Sequence, residues 1–304
     1  MGQQASHTAS ARSSPPHHLL VVPPVAHQGC GGRGRGRDPV IRPSLTQTKK
    51  LINMEETYST RVKAPAQTSV RVSTAAGNRM YEVPPLKPKS GLISDRGRSS
   101  TDEQVEKGLL FTAKSLTTVG TWNVRTLYHT GAAKMLIPEL ERLRWNIIGM
   151  AETHWTGSQE SNVQGYKIIS SGKERGHSSG VGLILAKEAQ RALLSYNPVN
   201  DRIISARFQM ATGFATLCQV YAPTADSSEE DIDKFYLDLQ QEINRTQKED
   251  LLIIMGDFNA KVGIGDEDSR QVMGKFGIGQ RNDRGERLID FCYTNDLFIT
   301  NTAF

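Results

Sequence analysis

The chain has 304 residues, with 37 Lys and Arg against 32 Asp and Glu, a formal net charge of +5 and only three cysteines. That length admits one or two domains, while Cys30, Cys218 and Cys292 are too few and too scattered for a disulfide framework or a zinc site. No apolar run reaches the roughly 20 residues of a membrane-spanning helix, and the short run at 19–22 lacks the basic flank of a secretory signal. These features predict an intracellular protein, nuclear or cytoplasmic, and exclude a disulfide-built secreted scaffold.

Charge is divided unevenly. Residues 1–115 carry 17 basic and 8 acidic side chains, a net of +9; residues 116–304 carry 20 and 24, a net of −4. The basic character therefore belongs to the N-terminal part. That part is rich in Ser, Pro, Gly, Arg and Gln without sustained apolar periodicity, and predicts a disordered region over 1–115. Its start, Met1-Gly2-Gln3-Gln4-Ala5-Ser6, fits the pattern for myristate on Gly2, a weak anchor by itself. The Gly/Arg tract at 31–37 reads as a flexible basic linker or as a short nucleic-acid-binding segment.

From residue 116 the pattern becomes that of a packed domain. The spacing predicts a strand over 117–124, then a helix over 132–144 with Met135, Leu136, Leu140 and Leu143 on one face and Pro138 disturbing its first turns. Strands follow over 145–151, 166–170, 181–186, 202–210 and 214–221. The sequence Asp226-Ser227-Ser228-Glu229-Glu230-Asp231 opens a helix, because a capping hydroxyl and early carboxylates suit the free amides and the dipole there. A strand over 251–256, apolar on both faces, a Gly-rich loop, a helix over 284–295 and a strand from 297 complete the chain. Strand follows strand without an intervening helix in several places, which predicts an α/β domain of mixed rather than doubly wound parallel sheets.

Four polar segments fall at predicted strand ends: Thr121-Trp122-Asn123-Val124-Arg125, Ala151-Glu152-Thr153-His154-Trp155, Val220-Tyr221-Ala222-Pro223 and Gly256-Asp257-Phe258-Asn259. Taken singly, each has an ordinary reading: Asn and Asp as turn formers, Glu and His as solvated surface, Tyr as packing. The period of two makes Asp257 and Asn259 point the same way from a buried strand, the start of a site for a metal and a phosphate.

In this order, TWNVR, AETHW, VYAP and GDFN resemble the endonuclease/exonuclease/phosphatase superfamily, with a particular likeness to the endonuclease domains of LINE-type retrotransposons and the craniofacial development protein 2-like proteins. GVGLIL, NPVNDRIISAR and GKFGIGQRNDRGERLIDFC add to the likeness, which runs from about residue 117 to the end. The resemblance implies a four-layer α/β sandwich of two mixed sheets and Mg2+-dependent phosphodiester hydrolysis on DNA, with Mn2+ as a substitute ion. It implies that Glu152 binds the metal, that Asn123 holds Glu152 or sits in the metal's outer sphere, that Tyr221 bonds the phosphate, that Asp257 orients or deprotonates the water and that Asn259 binds a phosphoryl oxygen. Arg125 and His154 stand where phosphate contacts are expected. The family's last strands, with a terminal Asp-His pair, have no counterpart before Phe304. A truncated domain with impaired hydrolysis and open strand edges is therefore expected. Two other functions remain open from sequence: a non-catalytic nucleic-acid-binding remnant and a phosphatase of the same superfamily.

Overall fold

The computed structural model of the chain describes residues 18–21, 58–62, 68–74, 77–83, 110, 117–129 and 131–303. The expected acylation site at Gly2 and the Gly/Arg tract at 31–37 lie outside the described residues.

Among the described residues the order is β1 (His18–Val21), β2 (Tyr58–Val62), β3 (Thr68–Thr74), β4 (Gly77–Val83), β5 (Thr117–Asn123), α1 (Ala132–Glu141), β6 (Ile147–Ala151), β7 (Ser158–Val163), β8 (Tyr166–Ser171), β9 (Val181–Leu185), α2 (Lys187–Ala192), β10 (Leu193–Asn200), β11 (Ile203–Met210), β12 (Gly213–Tyr221), α3 (Glu229–Arg245), β13 (Leu251–Asp257), α4 (Asp283–Thr294) and β14 (Leu297–Ile299). The strands form two mixed sheets, one ordered β10-β11-β12-β13-β1-β14 and the other β4-β3-β2-β5-β6-β9-β8-β7.

The layers follow from two-sided burial of the central strands. On β13, Ile253 and Met255 face the core between the sheets, while Leu252 and Ile254 face Phe235 and Leu239 of α3 and Leu288 and Ile289 of α4. On β6, Ile147 and Ala151 face the inter-sheet core, while Ile148 and Met150 pack toward Ile137 and Leu140 of α1. A strand between a second sheet and a helix must be apolar on both faces. The result is the expected sandwich: helix, sheet, sheet, helices. Cys218 and Cys292 are buried thiols, as their apolar contexts predict.

Helix ends are chemically fixed. Ser228 Oγ accepts from Asp231 N at 3.2 Å ahead of α3, with Glu229, Glu230 and Asp231 in the first turn. Asn282 Oδ1 accepts from Gly285 N at 2.9 Å ahead of α4. Pro138 lies inside α1, which ends at Glu141 rather than at 144.

Four of the strands, β1 to β4, lie before residue 116. β2 pairs antiparallel with β5 and with β3, and β3 with β4. Short alternations such as Ser69-Val70-Arg71-Val72-Ser73 suit a pleated ribbon although they are too brief to register as a core. β1 runs parallel to both β13 and β14. Its apolar run supplies ladder partners to the strand that ends in Asp257.

Candidate functional site

The two sheets each bring a parallel strand pair to the same rim. Asn123 at the end of β5 is the register partner of Ala151 at the end of β6, and Tyr221 at the end of β12 is the partner of Asp257 at the end of β13. The polar residues at these ends meet across the sandwich. Asn123 Nδ2 donates to Glu152 Oε1 at 2.7 Å and to Asp257 Oδ2 at 3.0 Å. Asn259 N donates to Asp257 Oδ1 at 2.9 Å, and Asn259 Nδ2 donates to Ala222 O at 2.9 Å. The Tyr221 phenol lies beside Glu152 and feels its charge. Five residues from four separated segments therefore form one cluster.

The two carboxylates share one nitrogen, which places their oxygens within about 6 Å of each other, a separation at which like charges repel strongly. Neither carboxylate has a Lys, Arg or His ion-pair partner among the described residues. Beside them Tyr221 is 6% exposed. Burial, then the charge of Glu152, push its hydroxyl pKa far above the ordinary phenol value. The phenol consequently stays protonated and can only donate toward an anion.

Local backbone strain is concentrated here. Of the seven non-glycine residues with positive φ among the described residues, five flank this rim: Arg125 (51°), Thr126 (120°), Glu152 (58°), His154 (58°) and Asn259 (48°). Such conformations cost of the order of 1–3 kcal/mol each and persist only where the surroundings fix them. Thr153 is the fixing point for two of them. It is fully buried, donates from N to Gly180 O at 3.1 Å and accepts at O from Leu127 N at 2.9 Å. Glu152 and His154 are thereby set on either side of an anchored residue.

Arg125 is exposed, and its backbone N donates to Asn123 Oδ1 at 3.1 Å. His154 is half-buried and held by its backbone, N to Ser179 O at 2.8 Å and O to His177 Nδ1 at 3.0 Å. Both lie at the rim, but their side chains are outside the hydrogen-bonded cluster. Three supporting features escape sequence reasoning. Arg202 donates to Tyr221 O at 3.2 Å and stacks 5.3 Å from its ring centroid. Thr121 Oγ1 donates to the fully buried Gln219 at 3.1 Å, one inward-facing pair below the cluster. Tyr128, 55% exposed, packs at a tilt of 57° against His177 with ring centroids 4.4 Å apart. A lone glutamine in the apolar run Leu217-Cys218-Gln219-Val220 is the one sequence signal that could have exposed this buried pair. A cavity of about 580 Å³, lined by Trp145, Tyr166 and Lys187 among others, contains none of the candidate residues.

The donor set suits a hard cation. Among the described residues no three His, Cys, Asp or Glu side chains cluster as a metal cage, but Mg2+ needs only one or two carboxylates because it keeps several waters. Glu152 and Asp257 supply two uncompensated carboxylates and Asn123 a neutral amide, all oxygen or amide chemistry, so the residues fit that ion.

This fold and motif order place the chain in a known class. The endonuclease/exonuclease/phosphatase family model matches residues 120–294, and the chain belongs to that family. Among curated relatives, craniofacial development protein 2 of Bos taurus is 40% identical over 209 residues, covering 69% of this chain and 35% of the relative. The same protein of Tragulus javanicus is 39% identical over 209 residues, covering 69% and 36%. The chain thus spans about a third of the length of these relatives. Among solved structures, the endonuclease domain of TRAS1, a telomere-specific non-LTR retrotransposon, aligns at 16% identity and a TM-score of 0.40, over 58% of this chain and 69% of that one. CdtB, the biologically active subunit of cytolethal distending toxin, aligns at 12% identity and a TM-score of 0.30, over 47% and 68%.

Proposed function

We propose that the domain is a retroelement-type endonuclease that hydrolyses phosphodiester bonds in DNA, using Mg2+ or Mn2+ held by Glu152 and Asn123. The observation that carries this reading is the shared amide: carboxylates from two different sheets converge on Asn123 Nδ2 with a protonated phenol beside them. When bound, the cation would offset negative charge developing on the phosphoryl oxygens.

The remaining work falls to the chain's own side chains. Asp257 is held at both oxygens, by Asn123 and by Asn259 N, and accepts the proton of a water brought within hydrogen-bond reach. Asn259 spends one amide hydrogen on Ala222 O and retains the other for a phosphoryl oxygen. Tyr221 donates its proton without adding charge, which suits an anionic substrate. Arg125 and His154, at the rim, take flanking phosphates. The +9 charge of residues 1–115 adds attraction for a polyanion.

Plasmid nicking with Mg2+ tests the reading, comparing the unaltered chain with Glu152→Ala and Asp257→Ala. Loss of nicking in both variants is expected, and equal activity in all three rejects the site. Binding without nicking by the unaltered chain would leave a non-catalytic nucleic-acid-binding protein. Release of phosphate from a phosphoinositide in place of nicking would indicate a phosphatase.

A further inference from the structure

The segment after Asn259 is a built loop that displays apolar side chains. It leaves the sheet at Lys261 and returns beside it at Asn282: Lys261 N donates to Asn282 Oδ1 at 3.0 Å, and Asn282 N donates to Lys261 O at 3.1 Å. Both ends are therefore pinned together at Lys261, two residues after the candidate phosphate ligand Asn259. Inside the loop, backbone packs on backbone. A Cβ on Gly277 would lie 1.8 Å from Gly263 O, and one on Gly265 2.4 Å from Gly274 O. Phe276 N donates to Thr302 O at 2.9 Å, and Arg281 Nε donates to Val262 O at 3.0 Å.

This fixed frame nevertheless lifts three large apolar side chains into solvent. Ile278 is 84% exposed, Ile264 65% and Phe276 41%. Because Gly263 and Gly277 touch, the stretch of loop carrying Ile264 runs beside the one carrying Phe276 and Ile278. Clustered apolar exposure on a rigid loop marks a contact surface. Its charge indicates the partner. Asp266 and Glu267 are occupied by Arg281 and Arg270, and Asp268 is the one exposed carboxylate of the loop without an ion-pair partner among the described residues. Lys261 and Lys275 have no ion-pair partner among the described residues, and Lys275 Nζ stands 5.2 Å from the Phe276 ring centroid. Apolar residues flanked by free ammonium groups match a nucleic-acid groove, where aliphatic and aromatic wedges insert between base steps while lysines meet phosphates.

We infer that the loop 261–282 is a second DNA-contact element, in which Ile264, Phe276 and Ile278 wedge into a groove of duplex DNA and Lys261 and Lys275 grip the adjacent phosphates. The inference rests on the reading of the Glu152–Asp257 cluster as a DNA site.

Anisotropy of a short fluorescein-labelled duplex, titrated with the full chain in chelator across a salt series, tests it. The Ile264→Ser/Ile278→Ser double variant should bind roughly tenfold more weakly at every salt concentration with an unchanged salt slope. Lys275→Gln should reduce that slope by about one. Both alter exposed side chains, and unchanged melting temperatures verify their folds. Wild-type affinity in the double variant, with wild-type binding intact, overturns the inference and leaves the DNA reading standing. Absence of duplex binding by the wild type overturns both. A wild-type dimer that becomes monomeric in the double variant at equal DNA affinity would assign the patch to self-association and likewise overturn the inference.

Discussion

Replacing Gly256 by Ala should loosen the domain where the fold meets the site. Gly256 has φ of +141° and is the register partner of Val220, immediately before the Tyr221–Asp257 pair. A Cβ there would stand 2.0 Å from Val220 O and 2.8 Å from Val220 C and N. All three are backbone atoms, so no side chain can swing away and β12 must part from β13. The dihedral costs roughly 1–3 kcal/mol and the overpacking roughly 1–3 kcal/mol, a total loss of about 2–6 kcal/mol. Gly279→Ala is the matched control. Its φ is +78° but nothing lies within 4 Å of the added Cβ, so only the dihedral cost of about 1–2 kcal/mol remains. Urea unfolding at neutral pH reads both, with the midpoint falling and the slope unchanged. Equal losses in the two variants would refute the steric argument, as would a loss below about 1 kcal/mol for Gly256→Ala.

Three further outcomes are expected. Asn123→Ala leaves Glu152 and Asp257 facing each other without their common donor. Thermal melts in chelator should show a loss of about 1–3 kcal/mol, much of it restored by millimolar Mg2+. Asp250 is buried and accepts from Arg207 Nε at 2.7 Å, Arg207 Nη2 at 2.9 Å and Thr216 Oγ1 at 2.8 Å. Asp250→Ala should cost about 2–4 kcal/mol by urea melts, below the full value for a buried pair because the Arg207 side chain is a quarter exposed. Tyr221 and Tyr236 both have phenol pKa values raised above the ordinary 10.0, mainly by burial. Their stabilisation is fully present below that value and is lost as pH climbs through it toward the folded-state pKa. Alkaline melts should therefore show a steep decline that Tyr221→Phe makes shallower.

Much of the fold was legible because the central strands are buried on both faces. β13 and β6 announce themselves as unbroken apolar runs, and α3 by its capping serine and early carboxylates. The candidate cluster was legible because strand ends fix direction: Asn123, Glu152, Tyr221, Asp257 and Asn259 all emerge at one rim. Arg125 and His154 were placed at the same rim by sequence proximity, but proximity did not bring their side chains into the hydrogen-bonded cluster. β7 was illegible because Ser158-Gln159-Glu160-Ser161-Asn162 is polar and exposed, held by pairing with β8 rather than by burial. β10 is half exposed, with Leu194 and Tyr196 facing solvent, so no alternation reveals it. Arg202 and the Thr121–Gln219 pair depend on the approach of one sheet to the other, which no local pattern encodes.

The central claim is that Glu152 and Asn123, beside Asp257, hold a divalent cation. Isothermal titration of the full chain with Mg2+ or Mn2+ tests it most directly. One binding event, abolished in Glu152→Gln and retained in the surface variant Glu160→Gln, is the predicted result. An isotherm identical in the wild type and in Glu152→Gln would contradict the claim.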